Sequence, residues 1–252
     1  MDSSSPAIAV RDLRKVYGNK AAVDGLSLTV PRGCFFGFLG PNGAGKSTTI
    51  RMLTGLIPPN SGLIELLGMP MPAAGLEIKK RIGLVPDESL LFDRLTGSEF
   101  LEFVGRMYGL ARPVARERAQ GLLGLFELEE SGRKLIAEYS KGMRKRVAMA
   151  ASLIHHPDLF LMDEPFEGVD AVGARLMKDI LLDQVQRGAT IFLTSHVLEV
   201  VERLCDRVAI IHEGKIVTEG TLDELRAGSE TLEDVFVRVV GAEKAFERLE
   251  WL

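Results

Sequence analysis

A glycine-rich loop between an apolar segment and a predicted helix constrains this chain more than any other feature. Residues 40–47 fit the pattern G-x-x-x-x-G-K-S/T in full. Residues 34–39 before it form a continuous apolar run, which is typical of a strand buried on both faces. Residues 47–53 after it have the small polar start and the apolar spacing of a helix. This order predicts an α/β core that binds a purine nucleotide.

The residues of this loop have separate predicted tasks. Its glycines allow backbone N–H groups to face phosphate oxygens, and the helix start adds partial positive charge. Lys46 is predicted to reach the β- and γ-phosphates, and the Ser47 hydroxyl to ligate Mg²⁺. The pattern alone does not choose between kinases, GTPases, helicases and transport ATPases. The predicted nucleotide-binding residues here are Gly40, Pro41, Asn42, Gly43, Ala44, Gly45, Lys46, Ser47 and Thr48.

Two acidic residues follow another apolar segment, residues 159–162. The carboxyl end of a strand in an open α/β sheet is the edge where ligands bind. We therefore predict that Asp163 holds Mg²⁺ through the water shell of the ion. Glu164, turned the other way by the alternation of the strand, is predicted to polarise the water that attacks the γ-phosphate.

The histidines fall into two groups. His196 ends the apolar run 190–196, so we expect it at the same sheet edge, where it can hydrogen-bond to a γ-phosphate. A lone histidine after a strand is more often a turn residue, and its position alone leaves both interpretations open. His155 and His156 precede Pro157 without a third ligand, and we predict a structural role for this pair.

A second short loop, residues 139–143, reads Tyr-Ser-Lys-Gly-Met and precedes a predicted helix. A Ser-x-Gly loop at a helix start presents backbone N–H groups that suit a phosphate. This loop follows a region with helical periodicity, residues 90–135, which predicts an inserted helical lobe. It is therefore remote in sequence from Lys46.

The rest of the chain is rich in predicted strands. Residues 8–17 and 22–30 alternate in part with period two and predict antiparallel strands. Apolar strands separated by helices predict a parallel sheet with both faces covered, and these strands are residues 159–162, 190–194 and 208–211. We expect one domain over residues 1–228 with a helical insertion at about 90–150. Residues 229–252 are charged and amphipathic and predict a short appended tail.

Composition excludes several classes of protein. The formal net charge is −4 and the pI is near 5.7, so the basic surface expected of a nucleic-acid-binding protein is missing. The apolar runs, such as residues 147–154, are far shorter than the roughly 20 residues that cross a bilayer. The N-terminus lacks a secretory signal, and Cys34 and Cys205 are predicted to be reduced, buried thiols. We therefore expect a cytoplasmic protein.

With these motifs in this order, the chain resembles the nucleotide-binding subunit of an ABC transporter over roughly residues 8–228. The resemblance implies the α/β P-loop NTPase fold of ABC ATPases: a mixed sheet core, an antiparallel β subdomain and an inserted helical subdomain. The loop at 139–143 is similar to the family's Leu-Ser-Gly-Gly-Gln signature, which closes over the nucleotide of a second subunit. Ser140 and Gly142 match, whereas Tyr139, Lys141 and Met143 differ, as in exporter-type members.

The resemblance also implies roles for residues whose own sequence pattern does not indicate a function. Tyr17 falls where an aromatic ring stacks on adenine, and His196 falls on the family's γ-phosphate histidine. Asp87 replaces a glutamine that senses Mg²⁺ and begins the contact with the membrane partner. An aspartate is one methylene shorter and charged, but it can still ligate a hard cation through oxygen. The family loop that crosses the dimer interface corresponds to Gly168, Val169 and Asp170, with valine in place of the usual leucine.

The leading hypothesis is an ATPase that binds ATP and Mg²⁺ and dimerises head to tail with a second nucleotide-binding subunit, identical or different. It would drive export through a separate transmembrane protein from the cytoplasmic face of the membrane. Residues 231–236 resemble the end of exporter-type subunits whose membrane domain is a separate chain. The alternative is a soluble ATPase of the same superfamily, for example in cluster assembly or mechanical work. A regulator without turnover would lack Glu164 or His196.

Overall fold

The computed structural model describes residues 5–87, 91–226 and 230–241. The strands are β1 Ile8–Tyr17, β2 Lys20–Val30, β3 Phe35–Leu39, β4 Ser61–Leu66, β5 Met69–Met71, β6 Ile82–Val85, β7 Leu159–Asp163, β8 Thr190–Ser195, β9 Arg207–His212 and β10 Lys215–Thr221. The α-helices are α1 Lys46–Leu53, α2 Gly75–Lys79, α3 Gly97–Met107, α4 Arg112–Leu125, α5 Lys141–Leu153, α6 Ala171–Gln186, α7 Leu198–Leu204, α8 Leu222–Leu225 and α9 Leu232–Val240.

The larger sheet positions the functional residues. Its strand order is β10-β9-β3-β8-β7-β6, parallel except for β10, which runs antiparallel to β9. Every residue of β3, β7 and β8 is buried, because helices cover one face of this sheet while α1 and strands β1 and β2 cover the other. Parallel strands end at one edge, so Leu39 pairs with Ser195 and Asp163 pairs with Thr194 there. The predicted phosphate loop and both predicted acidic residues therefore start from the same edge.

The smaller sheet is antiparallel, with strand order β2-β1-β4-β5. Side chains of β3 alternate between two hydrophobic cores: Phe35 and Leu39 join one, and Phe36 and Phe38 join the other. The second core also contains buried residues of β1, β2 and α1, and in it the Phe36 ring stacks on Phe192 at 5.8 Å. A single strand thus connects the antiparallel sheet to the helices that cover the opposite face.

Helices α3 and α4 lie within the region of helical periodicity and pack against each other and against α5. Helix α3 begins with a capping box between Thr96 and Glu99. In the tail, Leu232 and Val235 of α9 are buried in the same core as Phe35. The predicted boundary at residue 228 and residues 242–252 of the predicted tail lie outside the described residues.

The strongest apolar runs gave the correct elements. The antiparallel pair β1 and β2, the buried strands β3, β7, β8 and β9, and helix α1 all lie where the sequence predicts them.

Cys34 and Cys205 are free and buried, as predicted. Burial raises the pKa of Cys34 to about 11 and raises the pKa of Cys205 as well. Among the described helices, none combines the length and apolar character needed to cross a membrane.

Candidate functional site

The glycine-rich loop leaves β3 and wraps over the start of α1. Gly43 and Gly45 have φ of 81° and 114°, a region that side chains disfavour. A Cβ atom on Gly45 would also clash with the carbonyl oxygen of Ala22. Gly45 is the N-cap of α1, so no capping side chain occupies the N–H groups of its first turn. These groups are available to an anion.

A cavity of about 550 Å³ opens over this helix start. Most of the loop contributes to its wall, together with acidic residues from two other segments. The lining residues are Ala22, Pro41, Asn42, Gly43, Gly45, Lys46, Ser47, Thr48, Asp87, Glu164, Glu167 and His196. Ala22 and Glu167 are lining residues that the sequence analysis did not single out. Of the loop residues predicted to bind nucleotide, Gly40 and Ala44 are buried behind the cavity wall.

Three predicted site residues meet inside this cavity. Lys46 is only 6% exposed, and its Nζ donates a hydrogen bond to the Gly40 carbonyl at 2.6 Å. The same nitrogen lies 3.5 Å from Glu164 Oε1, and Nδ1 of His196 lies 2.9 Å from that oxygen. An ionised carboxylate only accepts, so this hydrogen bond requires the hydrogen on Nδ1. The cation, the carboxylate and the imidazole thus form one continuous set of contacts.

The direction of Glu164 has a different cause from the one predicted. Strand β7 ends at Asp163, so the alternation of a strand does not govern the next residue. Glu164 instead has φ of 47°, in the left-handed region that non-glycine residues rarely adopt. Such backbone conformations cost of order 1–3 kcal/mol and occur often at functional sites. In this backbone conformation, the Glu164 carboxylate contacts Lys46 and His196.

Asp163 is buried, and Thr194 holds it. Thr194 Oγ1 donates to Asp163 Oδ1 at 2.5 Å and accepts from the backbone N–H of Glu164 at 3.2 Å. One hydroxyl on the neighbouring strand therefore orients both acidic residues. The sequence analysis treated Thr194 only as part of a strand. The available signal was a hydroxyl side chain near the end of an otherwise apolar run.

The remaining predicted residues lie away from this cavity. Tyr17 is half exposed at the end of β1, with Lys15 Nζ 5.4 Å from its ring centroid, and is not a lining residue. Ser140 is the N-cap of α5, and its Oγ accepts from the Met143 N–H. In the described structure, residues 140–143 do not line the cavity that contains Lys46. The chain therefore does not bring the second loop predicted to bind phosphate to its own cavity.

The loop at residues 168–170 contacts the loop that begins at Ser140. A Cβ atom on Gly142 would lie 3.2 Å from the carbonyl oxygen of Gly168 and 3.7 Å from the Cα of Val169. Asp170 caps α6: its Oδ1 accepts from the Gly173 N–H at 2.9 Å, and this bond lowers the pKa of Asp170. The two loops thus form one continuous surface beside the cavity residue Glu167.

His155 occupies a packed position, as its sequence context predicts. Its ring stacks on Tyr108 with centroids 3.6 Å apart, and Nε2 lies 3.0 Å from the Ile82 carbonyl oxygen. Burial lowers the pKa of His155 to about 4. Across residues 5–87, 91–226 and 230–241, no group of three or more His, Cys, Asp or Glu side chains forms a metal site on its own.

Comparison with known proteins decides the family. A family model described as "ABC transporter" matches residues 23–167, which is more than half of the chain. The chain belongs to the ABC transporter family. The fold, the ATP-binding character and the ATPase family predicted from the sequence are therefore confirmed.

Relatives and solved structures agree with this assignment. The daunorubicin resistance ATP-binding protein of Streptomyces coeruleorubidus is 41% identical, covering 93% of this ABC chain and 75% of that protein. The Nod factor export ATP-binding protein I of Ralstonia nicotianae is 42% identical, covering 88% and 69%. A structure described as the ATP-binding subunit of an ABC transporter has 31% identity and a TM-score of 0.87, covering 92% and 99%.

Replacing Thr194 with valine is expected to slow ATP hydrolysis by about 10- to 100-fold, the usual effect of losing a group that orients a metal ligand. It should also lower the free energy of unfolding by about 1–3 kcal/mol, because Asp163 loses a buried donor. Steady-state phosphate release and chemical denaturation measure the two effects. Thr190→Val is the matched control, since Thr190 Oγ1 accepts from the Gly33 N–H at the other end of the same strand. Equal turnover in both variants would contradict the orienting role.

Proposed function

We propose that this chain is the ATP-hydrolysing subunit of an ABC exporter, working as a head-to-tail dimer beneath a separate transmembrane protein. The observation that carries the proposal is the set of contacts joining Lys46, Glu164 and His196 inside the phosphate-loop cavity. These are a phosphate-binding cation, a general base and a group that can hold a water or a γ-phosphate.

The proposed roles follow from the positions of these groups. The free N–H groups at the start of α1 and the Lys46 ammonium would bind the β- and γ-phosphates of ATP. Glu164 would accept a proton from the attacking water, and His196 would orient that water and the γ-phosphate. Tyr17 has an exposed ring on which the adenine of ATP would stack.

Mg²⁺ fits the oxygen donors of this site. Asp163 supplies a buried carboxylate fixed by Thr194, and Ser47 and Asp87 line the cavity with hydroxyl and carboxylate oxygens. These are the hard donors that Mg²⁺ prefers, and with so few of them the ion would take its other ligands from phosphates and water. When bound, the ion would neutralise charge on the phosphates.

A second subunit would complete the site. Ser140, Lys141, Gly142 and Met143 begin a helix whose N-terminus can bind a phosphate, yet they lie off the cavity of their own chain. We propose that they act on the nucleotide of a neighbouring subunit, with Gly168, Val169 and Asp170 at the interface. The helical subdomain would be about residues 90–150, which contain α3, α4 and most of α5.

The proposed membrane partner rests on the relatives, whose names assign them to drug resistance and Nod factor export. By analogy this chain would lie on the cytoplasmic face of the membrane and drive export of a compound that its sequence does not identify. A role in cluster assembly has no support among these relatives. Nucleic acid is an unfavourable partner for a chain with net charge −4.

Affinity isolation of the tagged chain from detergent-solubilised membranes tests the partner. We expect a polytopic membrane protein to copurify in fixed ratio, and the reconstituted complex to hydrolyse ATP faster than the isolated chain. Lys46→Met should retain the partner and lose the hydrolysis, which separates assembly from turnover. Recovery of soluble partners alone would contradict the transport function and favour the alternative.

A further inference from the structure

Two lysines on one face of α5 reach the two loops that flank the nucleotide cavity. Lys141 and Lys145 are four residues apart, so their side chains lie on the same side of the helix. Lys145 reaches the segment that contains Asp87, and Lys141 reaches Glu167. Both of these acidic residues line the cavity that contains Lys46. The helix that begins at Ser140 is therefore attached at two points to the cavity of its own chain.

The Lys145 contact is buried. Its side chain is 3% exposed, and its Nζ donates to the carbonyl oxygens of Asp87 at 2.6 Å and Pro86 at 3.2 Å. Burial lowers the pKa of Lys145, and the charges of Asp87, Glu167 and Asp163 oppose that shift. A buried ammonium is costly unless its donors are satisfied. Here the acceptors are backbone atoms, so Lys145 fixes the path of the chain at Asp87 rather than only its side chain.

The Lys141 contact is more exposed but has two parts. Its Nζ lies 2.7 Å from Glu167 Oε1, and this bond raises the pKa of Lys141 and lowers that of Glu167. The methylene groups of Lys141 cover Gly168, where an added Cβ atom would lie 2.7 Å from Lys141 Cδ. A glycine at position 141 could make neither contact. The lysine thus joins the helix start to the loop that contains Glu167.

We propose that Lys141 and Lys145 are positioning residues that couple nucleotide binding in one chain to the orientation of its Ser140 loop. The proposal rests on the proposed function, in which Ser140 serves the nucleotide of a second subunit. A nucleotide entering the cavity contacts the segments at Asp87 and Glu167. Movement of either segment reaches α5 through a lysine, and Ser140 is the N-cap of that helix. Nucleotide bound in the cavity of one chain therefore changes the orientation of the Ser140 loop of that chain, which contacts the nucleotide of the second subunit. By linkage, binding at the Ser140 loop changes the affinity of the cavity in the same way.

Amide hydrogen exchange tests this coupling within single chains. Exchange of a peptide covering residues 139–146 is measured with and without saturating ATP and Mg²⁺, in Glu164→Gln protein at concentrations where sedimentation shows a monomer. We expect ATP to change this exchange in the Glu164→Gln parent, and the change to be lost when Lys145→Met is added. Arg146→Met is the matched control, because Arg146 lies on the same helix but donates to the Phe126 carbonyl, outside the cavity wall. It should retain the change.

The exposed pair gives a second arm that does not depend on a buried substitution. Lys141→Met and Glu167→Gln should each reduce the ATP-linked change, and the double variant should lose no more than the larger single effect. Lys141→Arg should restore it, because the arginine can still pair with Glu167. If Lys145→Met fails to fold, this arm decides the question.

The outcomes separate the two proposals. If the parent fails to bind ATP, the proposed function fails and the coupling fails with it. If the parent binds ATP but its exchange at residues 139–146 does not respond, or if Lys145→Met and Lys141→Met respond as fully as Arg146→Met, the coupling is overturned and the proposed function stands. A general structural defect would alter the ATP-free exchange of the variants, whereas loss of coupling removes only the response to ATP.

Discussion

Replacing Glu164 with glutamine is expected to lower the turnover number of ATP hydrolysis by about two to four orders of magnitude, the usual contribution of general acid–base catalysis. Glu164 is the cavity carboxylate that contacts both Lys46 and His196. Glutamine keeps its shape and can still bond to the imidazole, but it cannot take a proton from water. ATP binding should persist. Phosphate release at saturating ATP and Mg²⁺ measures the loss.

The same variant should accumulate as an ATP-bound dimer, because bound ATP is no longer consumed. Sedimentation with and without ATP measures this. Asp158→Asn is a suitable control: its carboxylate pairs with Arg81 at the opposite end of β7, and its turnover should match the unmodified chain. Near-normal turnover in Glu164→Gln would contradict its role as the base. A Glu164→Gln chain that stays monomeric with saturating ATP would contradict the dimer.

Replacing Lys46 with methionine is expected to weaken ATP binding by about 10- to 150-fold, which corresponds to about 1.5–3 kcal/mol for a hydrogen bond to a charged group. Methionine keeps most of the side-chain volume, so the loss comes from the ammonium. That group is nearly buried in the cavity wall and lies beside the Gly40 carbonyl. Titration with a fluorescent ATP analogue measures the affinity, and turnover should fall with it.

Thermal denaturation provides a second readout for Lys46→Met. A ligand that binds the folded state raises the melting temperature, so ATP and Mg²⁺ should stabilise the unmodified chain and have little effect on the variant. Lys80→Met is the control, because Lys80 pairs with Glu77 on an exposed helix, and it should retain the full shift. Equal ATP-induced stabilisation of Lys46→Met and Lys80→Met would show that the loop binds nucleotide without its lysine.

The sequence predicted the buried strands well because a strand covered on both faces reads as an uninterrupted apolar run. Strands β3, β7 and β8 are of this kind. The sequence analysis missed β4, β5, β6 and β10. Strands β4 and β10 are half exposed, and β5 and β6 have three and four residues, so their patterns are too short or too mixed to distinguish from loops.

The candidate site was predictable where chemistry follows a motif and unpredictable where it depends on pairing between distant segments. Lys46 and Glu164 come from motifs, His196 was assigned by the family resemblance, and the three meet in the cavity. Thr194 and Lys145 carry no motif, and their importance appears only when β8 lies beside β7 and α5 lies beside the segment at Asp87. The direction of Glu164 was predicted for the wrong reason, because a left-handed backbone angle is not visible in residue order.

The alternation of β3 between two cores has a consequence for the phosphate loop that follows it. Phe35 and Leu39 are fixed by one set of neighbours, and Phe36 and Phe38 by another. A substitution that expands one core cannot push the strand aside without opening a void or creating a clash in the other. The position and direction of the phosphate loop are therefore fixed by the packing of both cores. We expect substitutions in either core alone to leave the geometry of the phosphate loop unchanged.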